Sequence, residues 1–145
     1  MIRPKDIDDF EHYLKINRVV KKEEDPLQAK SLFKRGKNKF ENMEKMGLDE
    51  DTATDYFENV YEASKMLIQA FMALDGFHPY SHEAIVAYAI DYLDISDKTA
   101  SRLNKFRKMR HDMVYRGEIA TEKEAEQLKE IFKDLLKKLE SEFDL

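Results

Sequence analysis

Arg107, Arg110, His111 and Tyr115 crowd one part of a single stretch, residues 96–117 (SDKTASRLNKFRKMRHDMVYRG), and their types suit the handling of a phosphate or another anion. At about 100° per residue, Ala100, Leu103, Phe106, Met113 and Val114 fall on one side, which is the apolar stripe of a core-facing helix. Arg110 lies at the middle of that stripe; Arg107 and His111 run along one margin, and Tyr115, four residues on, continues the His111 ridge. A desolvated guanidinium must find a carboxylate, a carbonyl or a phosphate to offset its lost hydration. Two readings follow. In one, the arginine stem packs on the core while its head snorkels to water or to an acid of the same chain. In the other, the stretch is an anion or RNA-phosphate site.

Two segments carry a family resemblance. The run LNKFRKMRHDMVYRG is similar to the motif helix of the HEPN family (higher eukaryotes and prokaryotes nucleotide-binding domains), and the earlier YEASKMLIQAFMALDGFHPYSHEAIVAY resembles the helix, glycine turn and Ser-His helix start that precede it. The resemblance spans about residues 53–139. It implies an antiparallel helical bundle, a homodimer with the arginine helices facing a shared cleft, and an RNA- or nucleotide-binding function. It further implies a metal-independent endoribonuclease of a toxin–antitoxin or defence system, paired with a small nucleotidyltransferase.

The family's active pattern is an arginine, four to six arbitrary residues, then a histidine. Arg110 matches the arginine, His111 stands where a polar residue is usual, and Tyr115 occupies the place of the histidine. A neutral phenol with an ordinary pKa near 10 is a poor general base, so this departure implies a weak or degenerate ribonuclease that still holds phosphate. Arg110, His111 and Tyr115 are the candidate catalytic residues, and Arg107, Arg110 and Arg116 the candidate phosphate contacts. The alternative is a noncatalytic dimeric interaction module whose arginines meet carboxylates.

The elements that must position these groups are helical throughout. The chain has 145 residues, 42% hydrophobic and 38% charged, with a net charge of −5, which suits one soluble domain and argues against indiscriminate coating of nucleic acid while leaving room for a local basic patch. It contains no cysteine, which excludes disulfides and thiolate metal sites; no signal peptide or membrane-length apolar run appears, so the cytoplasm is the expected location. The expected fold is an all-α antiparallel bundle of five or six helices in one domain, 1–145, with N-terminal helices over 1–46 and a core bundle over 50–143.

A first helix is expected from Pro4 to about Asn17, then a solvated charged connector, Lys21 to Asp25. A second follows from Pro26 to about Met46, weakened by Gly36 by about 1 kcal/mol. On it, Lys34, Arg35, Lys37 and Lys39 near Phe33 and Phe40 suit phosphate contacts, or form a solvated face balanced by Glu41 and Glu44. The third helix, about residues 51–75, is apolar over more than one stripe and should be buried between several neighbours. Ser81 caps a fourth, and Thr121 with Glu124 forms a capping box for the last, to about Phe143. His78 and His82 are separated by Pro79, so no shared helix presents them to a metal; His82 is expected to make a structural hydrogen bond at its helix start. No metal site and no cofactor are expected.

Overall fold

The computed structural model describes residues 3–143. Among the described residues, six helices and one two-stranded ribbon follow in the order α1 (Phe10–Lys15), β1 (Val19–Lys21), α2 (Pro26–Met46), α3 (Ala53–Asp75), β2 (Phe77–Pro79), α4 (His82–Tyr92), α5 (Asp97–Arg116) and α6 (Glu122–Glu142). The fold is a helical bundle, and no helix among the described residues is long and apolar enough to cross a membrane.

Local chemistry sets most of the helix ends. Asp25, Ser81, Ser96 and Thr121 each accept a hydrogen bond from a first-turn amide, at Gln28, Ala84, Thr99 and Glu124 respectively. Thr121 and Glu124 complete the expected capping box.

The centre of the bundle is α3 rather than α5. It packs against α2, α4, α5, α6 and β2, and it buries Tyr56, Phe57, Val60, Leu67, Ile68 and Met72 almost completely. The breadth of its apolar surface required such company. One polar fastening joins three helices here: the Tyr56 hydroxyl donates to Glu44 Oε2 at 3.0 Å, and Lys129 Nζ lies 2.8 Å from Glu44 Oε1.

Gly36 has a role that propensity alone does not reveal. It is buried where α2 crosses α3, and a Cβ placed on it would lie 3.1 Å from the Ala63 carbonyl oxygen and 3.2 Å from Leu67 Cδ2. The missing side chain therefore permits close approach of the two helices, which offsets its helix-weakening effect.

The N-terminal region departs from expectation. The first helix covers only six residues, because Phe10 N–H donates to the Asp91 carboxylate at the start and Asn17 turns left-handed (φ 59°) just after the end. The chain then forms β1, which pairs antiparallel with β2 in the register Val19↔Pro79, Val20↔His78 and Lys21↔Phe77. Part of the charged connector is thus a strand. Gly76 makes this junction possible: its φ is 81°, and a Cβ there would lie 2.5 Å from the Lys22 carbonyl oxygen.

Candidate functional site

Burial along the α5 stripe follows the sequence only as far as the neighbouring helices reach. Ala100, Leu103, Phe106 and Met113 are buried, but Val114 is 53% exposed. One edge of this side of α5 borders a cavity instead of another helix, and Arg110 and Val114 line it, while Met113 still packs into the core. Val114 is therefore cavity wall rather than core.

The cavity holds about 460 Å³ and is lined by Glu62 and Lys65 from α3, His82 and Glu83 from α4, and Arg107, Arg110, His111, Val114 and Tyr115 from α5. Its size lies within the range of small-ligand sites. The structure thus gathers Arg107, Arg110, His111 and Tyr115 around one space. Arg116 is not among the lining residues; it is exposed at the end of α5, with Nε 4.0 Å from Asp112.

The cations differ sharply in how they are satisfied. Arg107 is an internal hub: Nη1 donates to Glu83 at 2.9 Å, Nη2 to Asp6 at 3.0 Å, and Nε and Nη2 to Asn104 Oδ1 at 3.1 Å. Buried Asn104 returns a bond to Asp6 at 2.7 Å, so the hub links the N-terminal segment, α4 and α5. Burial pushes the Asp6 carboxyl up, but its bonds from Lys108 and Asn104 outweigh this and hold it below the usual range. Lys65 is paired with Glu62 at 2.8 Å.

Arg110 is different. Its Nε is buried with no hydrogen-bond partner among the described residues, and no carboxylate pairs with its guanidinium there. The lining carries three permanent cations, Lys65, Arg107 and Arg110, against two carboxylates, Glu62 and Glu83, leaving one positive charge with both histidines neutral. With Glu62 and Glu83 engaged by Lys65 and Arg107, that excess resides on Arg110.

Three rings complete the site. His111 and Tyr115 lie against each other with centroids 4.6 Å apart and planes tilted by 40°. The sequence expectation that His82 makes a structural hydrogen bond is not met among the described residues: the imidazole faces the cavity instead. Partial burial and then the Lys65 ammonium hold it below its ordinary pKa, which favours a neutral ring. Tyr61, absent from the sequence-based candidates, is buried close enough to Arg107, Glu62, Arg110 and Glu83 to feel their charges, and burial pushes its phenol well up, so it stays protonated. The spacing of Tyr61 on the inward edge of α3, four residues before Lys65, was the available signal.

The arrangement can hold an anion: an unsatisfied guanidinium, two imidazoles and a phenol surround a space of ligand size. His78 lies in β2 and His82 at the start of α4, and among the described residues no three His, Cys, Asp or Glu side chains gather as metal ligands would. The fold and site define a helical bundle with a cation-lined cavity beside one long helix. No family model matches the chain, and no curated protein or solved structure matches it significantly.

Proposed function

We propose that this protein binds RNA or a nucleotide through phosphate held at Arg110. The observation that carries the reading is the Arg110 Nε, buried without a partner among the described residues, beside an otherwise charge-balanced cavity. A buried unpaired donor on a cation costs free energy in the empty protein; Nε is closed to water, so it gains a partner only when the side chain turns it toward the cavity, where the unpaired guanidinium charge attracts an anionic oxygen. The resemblance of residues 103–117 to the HEPN motif helix points to the same ligand class.

Cleavage of RNA without metal requires a base for the 2′-hydroxyl, stabilisation of the phosphate charge and an acid for the leaving oxygen. Arg110 supplies the second. Tyr115, 74% exposed and in the place of the family's histidine, is poorly suited to the others near neutral pH. The reading is binding with weak or absent ribonuclease activity, in a toxin–antitoxin or defence setting with a small nucleotidyltransferase as the implied partner.

Exposed Val114 and Tyr115 on the cavity wall also favour a second reading, a noncatalytic dimeric interaction module. Both readings include a homodimer, which light scattering after size-exclusion chromatography tests. The functional test is salt-dependent binding of a labelled short RNA by the parent and by Arg110→Ala, with metal-free cleavage measured for the parent, His111→Ala and Tyr115→His. Loss of binding in a folded Arg110→Ala, with cleavage gained only in Tyr115→His, supports a degenerate ribonuclease scaffold. Unchanged RNA binding in Arg110→Ala removes the phosphate site.

A further inference from the structure

On the other edge of α3 lies a second, shallower groove of about 380 Å³, lined by Arg35, Asn38, Lys39, Asn42 and Met43 from α2 and by Asn59 and Met66 from α3. Arg35, Asn38, Lys39 and Asn42 follow three- and four-residue steps, so they form one ridge along α2. No carboxylate lines the groove, although acids outnumber bases in the chain, 30 to 25.

The solvated-face explanation requires Glu41 and Glu44 to balance these cations. Glu44 instead meets Tyr56 and Lys129, and at 100° per residue it lies on the opposite side of α2 from the ridge. Neither Arg35 nor Lys39 has an ion pair among the described residues. They are like charges four residues apart, a spacing that costs a helix about 0.2–0.5 kcal/mol. Gly36 keeps α2 close to α3 at this point and so seats the ridge beside Met66.

The two openings flank one half-buried strip of α3. Asn59 and Met66 edge the groove, while Glu62 and Lys65 edge the Arg110 cavity and neutralise each other at 2.8 Å. An anionic chain leaving Arg110 therefore crosses α3 at the mutually neutralised Glu62–Lys65 pair, about one helix width, with Glu58 one turn away on the same face, before it meets the next free cations. Phe33 and Phe40 do not serve as base-stacking platforms: both are buried, Phe40 stacked on Phe132 at 4.4 Å and Phe33 against Phe143 at 5.4 Å. The groove thus offers cations and amides for a phosphate–sugar backbone, with no exposed ring among its lining residues.

We infer that the α2–α3 groove is a second phosphodiester-binding site, and that one RNA strand runs from the Arg110 cavity across α3 to Arg35 and Lys39. This inference rests on the phosphate reading of Arg110 and extends its ligand from a single nucleotide to a strand of several. Neutralising two contacts on a single strand removes about 1.4 from the slope of log affinity against log salt, and at 0.1 M salt corresponds to about a 25-fold loss.

The test measures binding of a 12-nucleotide single-stranded RNA and of AMP to the full chain, the Arg35→Gln/Lys39→Gln double variant and Arg110→Ala, with circular dichroism to verify folding. The expected result is a loss of about 25-fold for the 12-mer with the shallower salt slope in the double variant, while AMP binding is unchanged. Arg110→Ala should weaken both ligands. A double variant that binds the 12-mer within twofold of the parent overturns the groove assignment and leaves the cavity reading standing. The converse, a 12-mer lost only in the double variant, removes the Arg110 cavity and with it the continuous track. A parent that binds neither ligand overturns both, and a polyglutamate peptide that competes as well as the 12-mer overturns the assignment to RNA.

Discussion

Replacing Arg110 by methionine should raise the stability of the empty protein while removing its anion affinity. Methionine keeps an unbranched apolar stem along the α5 stripe but deletes the guanidinium, including the Nε that lies buried without a partner. An unsatisfied buried donor costs about 1–3 kcal/mol, and taking the low end to allow for the lost outer guanidinium leaves a gain of about 1 kcal/mol. At this chain length that corresponds to a rise in Tm of about 2–4 °C. Loss of a charge-assisted hydrogen bond worth about 1.5–3 kcal/mol should weaken phosphate or AMP binding by about 10- to 150-fold. Differential scanning fluorimetry with and without AMP reads both effects: ligand raises the parent's Tm by mass action and leaves that of Arg110→Met unmoved. A lower Tm for the variant with an unchanged AMP response would refute the reasoning, because it would mean that Arg110 compensates an internal acid.

Arg107→Met should do the opposite, destabilising by about 2 kcal/mol, since it leaves Glu83 without its cation and Asn104 Oδ1 without its donor, while Asp6 keeps Lys108 and Asn104; the figure lies below that of a fully buried pair because both carboxylates are about 41% exposed. Urea titration checks it, and an unchanged midpoint would show that water replaces the hub without loss. Gly36→Ala gains about 1 kcal/mol of helix propensity but forces a Cβ against the Ala63 carbonyl, so overpacking of about 1–3 kcal/mol should leave a net loss near 1 kcal/mol. A raised Tm would indicate that α2 and α3 separate at little cost. His82 has its imidazole pKa depressed by burial and then Lys65, so the unfolded chain takes up the proton first: the stabilising contribution is complete above about 6.5 and is lost as pH falls through the lower folded value. A bound phosphate favours the imidazolium, so affinity for the 12-nucleotide RNA, whose phosphodiesters keep their charge, should rise as pH falls from 7.5 to 5.5, and His82→Gln should flatten that rise by titration calorimetry.

The helix set and most helix ends were determined by the sequence, because capping acts within one turn of chain. Asp25 with Pro26, Ser81, Ser96 and the Thr121–Glu124 box, with Gly76 and Gly117 as left-handed stops, lie beside the helices they bound. The α5 cluster was legible for the same reason: Arg107, Arg110, His111 and Tyr115 belong to one helix, whose period groups them whatever surrounds it. What depended on distant chain was decided only by tertiary structure. The β1–β2 ribbon pairs Val19 with Pro79, a long-range choice that three-residue strands do not announce. Arg107 finds Asp6 101 residues away and Glu83 24 residues away, whereas Arg110, one turn further along the same helix, finds no acid among the described residues. That contrast separates a structural arginine from the candidate ligand-binding one. The outcomes at Gly36, Val114 and His82 have the same origin: α3 lies against Gly36, the cavity replaces a packing neighbour at Val114, and Lys65 reaches the space beside His82. Helix periodicity fixes which residues share a face, and packing fixes what that face meets.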